Sequence, residues 1–76
     1  MKALVVLLAR ALVKDEAQVS VVEETRDDST VLRLSVGKDD AGRIIGKHGR
    51  TVEALRTVVA AIASEAGRSV ALELVE

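Results

Sequence analysis

Hydrophobic positions along the chain change rhythm several times, and each change predicts an element. Over 2–14, Leu4, Leu8, Ala11 and Leu12 recur on one face at helical spacing, among strong helix formers and ahead of Lys14. A second side, Val5, Val6 and Leu7, is apolar as well, so this helix is hydrophobic around much of its circumference. After a break at 14–17, the β-branched Val19, Val21 and Val22 predict a short strand. Residues 25–29 are polar and turn-prone, and 31–36 then alternate, with Leu32, Leu34 and Val36 set against Arg33 and Ser35. Together these segments predict a β-hairpin.

Gly37 ends the second strand, and Asp39 or Asp40 offers an acceptor to the free N–H groups of a following helix. Residues 41–45 supply about one helical turn before Gly46 interrupts it, and Gly49 closes the interruption. From Arg50 to about Ala66, Val52, Leu55, Val59, Ile62 and Ala66 recur at helical spacing, with Gly67 as the stop. Val70, Leu72 and Leu74 then alternate with Ala71, Glu73 and Val75 in a last strand. The order is α-β-β-α-α-β. A right-handed crossover through the two helices makes the last two strands parallel, and the hairpin adds an antiparallel neighbour. The expectation is an α+β, two-layer fold: a three-stranded mixed sheet with three helices on one face, residues 1–76 forming a single domain.

Composition narrows the chemistry. The 76 residues contain no Cys, Pro, Phe, Tyr or Trp, and His48 is the one histidine. Disulfides, thiolate metal sites and multi-histidine centres are thereby excluded, and no metal or cofactor is expected. The missing rings exclude every recognition mode that stacks a base on Phe, Tyr or Trp. Net charge is −1, so binding to a polyanion would require a local patch. The apolar run 3–9 after Lys2 is far short of a membrane span and sits at the lower limit for a signal peptide, so it reads as the first helix of a cytoplasmic protein.

A local patch does exist. Between Ala41 and Val58, Arg43, Lys47, Arg50 and Arg56 stand against Glu53 alone, a local charge of +3. Its centre is Ile44-Ile45-Gly46-Lys47-His48-Gly49-Arg50-Thr51-Val52. A GxxG pair by itself is weak, since two glycines can merely turn a helical corner while the cations solvate it. Placed between a short and a long helix, flanked by aliphatics and enclosing Lys47 and His48, it acquires a chemical sense. Glycine lets the backbone approach a phosphodiester, and the positive N-terminus of the following helix points amide groups at phosphate oxygens.

Rival chemistries fit less well. Gly37 to Gly42 has the spacing of a P-loop, but Arg43-Ile44 stands where Lys-Ser/Thr is required. Asp39 and Asp40 are explained by helix capping rather than paired acid–base work, and no nucleophile comes with a base, so no enzymatic activity is expected.

The stretch VGKDDAGRIIGKHGRTVEALRTVV, residues 36–59, resembles the GxxG region of a type II KH domain. A stand-alone KH chain of this size resembles the bacterial KhpA family of small RNA-binding proteins. The resemblance implies single-stranded RNA held in a cleft of about four nucleotides, with an RNA-chaperone or post-transcriptional role. It also implies a homodimer or an assembly with a KhpB (Jag-like) partner and, in some bacteria, a link to cell-wall elongation, peptidoglycan homeostasis, cell shape and cell size. Carried onto this chain, Gly46, Lys47, His48 and Gly49 would grip the backbone, with Arg43 and Arg50 flanking. Ile45 would line the floor, and the last strand with the Gly67-Arg68-Ser69 loop would form the opposite wall. Ala54, Val58 and Ala61 on the long helix, with the spare apolar side of the first, offer a surface for self-association or a partner. The competing reading is a protein-interaction module of KH shape that no longer binds RNA.

Overall fold

Leu32 and Leu34, the inward positions of the alternating segment, lie fully buried at the centre of the computed structural model, which describes residues 1–75. Around them run α1 (Lys2–Leu12), β1 (Ser20–Arg26), β2 (Ser29–Ser35), α2 (Ala41–Ile45), α3 (Arg50–Glu65) and β3 (Ser69–Val75). Short 3₁₀ turns occupy Glu16–Gln18, Lys38–Asp40 and Lys47–Gly49. The sheet order is β1-β2-β3, with β1 antiparallel and β3 parallel to β2. The α+β two-layer fold expected from the hydrophobic pattern is therefore the one observed, a three-stranded mixed sheet with its helices on one face.

The faces of that sheet separate by chemistry. Inward, Val21, Leu32, Leu34 and Leu72 pack with Val5 and Ala9 of α1, Ile44 of α2, and Leu55 and Val59 of α3. Outward, Arg33 Nη1 meets Glu24 Oε1 at 2.9 Å and Arg33 Nε meets Glu73 Oε1 at 3.3 Å, a charged row across all three strands. The row leaves that face in water, and the apolar helices cover the other.

Several local expectations need correcting. The first helix ends at Leu12, and its buried residues are Val5 and Ala9 rather than the stripe of Leu4, Leu8, Ala11 and Leu12. In a helix apolar on two sides periodicity has little contrast, and the small Ala9, with no accessible surface, decides which side is packed. On α3 the buried series is Val52, Leu55, Val59 and Ala63; Ile62 is 43% exposed and Ala66 lies beyond the helix. The hairpin turn is confined to Asp27-Asp28, since Thr25 pairs with Thr30 and Arg26 with Ser29. Cross-strand pairing extends both strands through residues of weak strand preference, and Asp27 takes the positive φ, 52°, that such tight turns demand. At the end of α3, Gly67 (φ 70°) donates to Ser64 O and Arg68 to Ala63 O, so the predicted glycine stop is a Schellman cap.

The acidic pair before α2 is the most consequential correction. No side chain caps α2. Asp40 turns inward instead, only 3% exposed, and its Oδ1 and Oδ2 accept the N–H groups of Lys14 (3.1 Å) and Asp15 (3.0 Å) in the segment leaving α1. A single carboxylate thus ties the end of α1 to the start of α2. The two N–H donors, from Asp15 and then Lys14, hold its carboxyl below the ordinary carboxylate range against the opposing effect of burial, with help from the charges of Arg43 and Lys14.

A folded-state value below the unfolded one means that ionised Asp40 stabilises the fold above the usual aspartate pKa of about 4, a contribution lost as pH falls through the folded-state value. Urea midpoints measured from pH 3 to pH 7 should therefore fall on acidification, and Asp40→Asn should lower the midpoint at pH 7 and flatten the acid limb. A variant whose curve runs parallel to that of the unaltered chain would exclude this role.

Candidate nucleic-acid interface

The loop between α2 and α3 is built from backbone conformations that side chains resist. Gly46 has φ 75°, ψ 175°, His48 φ 59°, ψ 26°, and Gly49 φ 73°, ψ 13°. Three of four successive residues therefore have positive φ. Glycine takes such values freely, and histidine is among the few side-chain-bearing residues enriched there. The turn is closed by Gly46 N–H to Gly42 O (2.9 Å) and Gly49 N–H to Gly46 O (3.2 Å).

What the loop leaves open matters as much. Among the described residues, no carbonyl or side chain accepts from the amides of Lys47 and His48. Gly49 is the N-cap of α3 and has no side chain to cap with, and the first amide of this 16-residue helix, that of Arg50, donates back to Lys47 O. Open N–H groups in a turn of left-handed residues, just ahead of a helix N-terminus, form a concavity suited to an anionic oxygen.

The two glycines differ in what they exclude. A Cβ on Gly46 would overlap the side chain of Thr51, with Thr51 Cβ 2.7 Å and Thr51 N 3.0 Å away, whereas a Cβ on Gly49 meets nothing within 4 Å. Gly46 is needed both for its φ and for the close approach of α3; Gly49 is needed for φ alone.

Around the loop the predicted residues sort by burial. Ile44 is fully buried and anchors α2 in the core, while its neighbour Ile45 is half-buried beside the loop. Lys47 and Arg50 are exposed and, among the described residues, form no ion pair. Arg43 is half exposed, with Nε 3.4 Å from Asp40 Oδ1. Arg56 is engaged: Nε donates to Leu72 O on β3 at 3.2 Å and Nη1 to Glu53 Oε1. The structure thus brings Arg43, Ile45, Gly46, Lys47, His48, Gly49 and Arg50 together at one end of the molecule, with Arg56 bridging α3 to the outer edge of β3.

The Gly67-Arg68-Ser69 loop does not join them. It stands at the far end of α3, about 24 Å along the helix axis at 1.5 Å per residue, and lines a hollow with Glu23, Thr25, Asp27, Asp28 and Thr30. The β3 residues near α2 are those at its C-terminal end, where Val75 shares a hollow with Val36, Lys38 and Ala41. Reading along the chain also missed Thr51 as the partner of Gly46 and Asp40 as the partner of Arg43. The three-residue spacing of Asp40 and Arg43 was the available signal, and the assignment of Asp40 to a cap obscured it.

No group of three or more His, Cys, Asp or Glu among the described residues is placed to hold a metal ion. No helix among them is long and apolar enough to cross a membrane.

Stability should separate the glycines. Gly49→Ala should cost about 1 kcal/mol for a left-handed residue, and Gly46→Ala several times more, because strain adds to the collision with Thr51. Thermal or chemical unfolding of the two variants checks this, and equal losses would contradict the geometry.

Comparison with known proteins agrees with the fold. A family model described as KhpA/KhpB, KH domain, matches residues 2–74. The chain is similar to the RNA-binding protein KhpA of Halalkalibacterium halodurans, 45% identical over 76 residues and covering all of both chains. It is similar to that of Clostridium perfringens, 40% identical over 75 residues, 99% of this chain and 100% of the other. It is also similar to that of Bacillus subtilis, 39% identical over 71 residues, 93% of this chain and 88% of the other. No solved structure matches significantly.

Proposed function

The chain belongs to the KhpA/KhpB KH-domain family, and on that premise we propose that it binds single-stranded RNA through the Gly46–Gly49 loop, residues 1–76 acting as one KH domain. The supporting observation is the loop itself: three positive φ values, open amides at Lys47 and His48 just ahead of α3, and a local charge of +3 in a chain of net −1. Relatives named RNA-binding protein KhpA give the same direction.

In this reading the loop amides and the α3 N-terminus take phosphate oxygens, with Lys47, His48, Arg50 and Arg43 adding charge. The half-buried Ile45 provides an aliphatic floor. Without aromatic rings binding is backbone-dominated and weakly sequence-selective, in keeping with an RNA-chaperone or post-transcriptional role in the cytoplasm.

Weak binding by one small cleft gains from assembly through effective concentration. A second surface suits that need. Leu8, Ala11 and Leu12 of α1 and Thr51, Ala54, Leu55 and Val58 of α3 line an apolar groove, and Ile62 lies one turn beyond Val58. The groove supports a homodimer or a heteromer with a KhpB-like partner, and through such a partner a part in cell-wall elongation and cell size. The competing reading, an interaction module that has lost RNA, draws on the same groove but leaves the open loop amides unused.

Fluorescence anisotropy with short single-stranded RNA across salt tests the proposal. The log–log slope should be about −0.7 per phosphate contacted. Lys47→Asp combined with His48→Asp should weaken binding at least about tenfold, some 1.4 kcal/mol, with the circular dichroism spectrum unchanged. Equal binding by both proteins would remove the loop from the RNA site. Sedimentation at tens of micromolar should show an assembly larger than one chain, and Ile62→Asp should shift it toward the monomer. A monomer in the unaltered chain would rule out the homodimer.

A further inference from the structure

Asp40 is the one buried charged or polar residue among those described, and burying a carboxylate is costly unless it is well paired. Its two main-chain N–H partners explain how it is tolerated. They leave unexplained why the same Oδ1 also faces Arg43 Nε at 3.4 Å.

We propose that Asp40 is a positioning residue of the nucleic-acid interface, holding the Arg43 guanidinium beside the Gly46–Gly49 loop so that it is preorganised for a phosphate; this rests on the RNA reading above. Arginine carries five N–H donors. Approach through Nε occupies one edge and leaves both Nη groups for another acceptor. Arg43 stands one turn before Gly46, and its side chain is 49% exposed while that of Asp40 is 4% exposed. The pair therefore presents its positive member to solvent and keeps the negative one beneath. The charge of Asp40 is already spread over the Lys14 and Asp15 amides, so it orients Arg43 at little cost to the outward positive field.

The neighbouring cations lack this support. Lys47 and Arg50 have no ionic partner among the described residues, and Arg56 is committed to Leu72 O and Glu53. A long side chain fixed before binding loses less rotamer freedom on contact, which is the usual gain from preorganisation. Because the far end of Asp40 is fastened to the segment leaving α1, the orientation of Arg43 is set by the fold rather than by α2 alone.

A double-mutant cycle separates positioning from simple structural support. Anisotropy titrations with a fluorescein-labelled single-stranded RNA of mixed sequence would compare the unaltered chain, Asp40→Asn, Arg43→Gln and the double variant. Asp40→Asn should weaken binding about fivefold and make the salt slope shallower by about 0.7, and it should have no further effect when Arg43 is already Gln. Equal losses in both backgrounds, or tighter binding by Asp40→Asn, overturn the proposal.

If Asp40→Asn does not fold, as circular dichroism would show, Arg43→Lys decides the matter, since it keeps the charge but has no Nε for Asp40. Affinity near that of Arg43→Gln supports positioning, and affinity near that of the unaltered chain overturns it. Absence of RNA binding by the unaltered chain would overturn the RNA reading and this proposal together. Intact binding without coupling between positions 40 and 43 overturns only the positioning role.

Discussion

Because β2 and β3 run parallel, the chain leaving the end of β2 must travel back along the sheet before it can pair again, and α2, the glycine loop and α3 are that return path. The path has two tasks. It must cover one face of the sheet with Ile44, Val52, Leu55, Val59 and Ala63, and it must reverse direction between two helices within four residues. The reversal is possible because Gly46, His48 and Gly49 take positive φ, and it is tight because Gly46 lets Thr51 approach its Cα. The same four residues that solve a topological problem leave the Lys47 and His48 amides open just ahead of a long helix. The candidate site is thus a consequence of the crossover rather than an addition to it.

Position along that path also distributes charge. The crossover begins at the C-terminal ends of β2 and β3, where Arg43, Lys47 and Arg50 gather, and it ends at Gly67 beside a hollow where Glu23, Asp27 and Asp28 outnumber the one cation, Arg68. A chain of net −1 therefore has two unlike ends. Net charge says little about partners when the fold separates the charges by the length of a 16-residue helix. The absent aromatic rings sharpen the same point, since they exclude stacking platforms and leave the backbone of the ligand as the natural target of open amides.

The parts of the fold read correctly were those in which one residue's pattern has one structural solution. Alternation at Leu32, Leu34, Leu72 and Leu74 admits a strand and little else, and the limits 41–45 for α2 follow from a glycine that stops it. Where two solutions compete, pattern was insufficient. The first helix offered two apolar sides, and contact with the sheet and α2 chose Val5 and Ala9. On α3 the stripe drifted to Ala63 rather than Ile62, leaving Ile62 on the same side as Val58 and the groove. Asp40 met every local criterion for a helix cap and was taken instead by amides 25 and 26 residues earlier in the chain. A long-range hydrogen bond leaves no periodic trace.

By itself, then, the sequence determined element order, the parallel crossover, the location of the glycine loop and the class of chemistry that remained once thiols, rings and paired histidines were absent. These follow from side-chain periodicity, glycine's freedom at positive φ and composition, all of which are local. Only the tertiary structure decided which helix faces are buried, that the Gly67 loop is remote from the site, that Arg56 is spent on β3, and that Asp40 joins α1 to Arg43. Each of these depends on which segments, distant in sequence, meet in space, and the free energy of that meeting belongs to pairs of residues rather than to any stretch of chain.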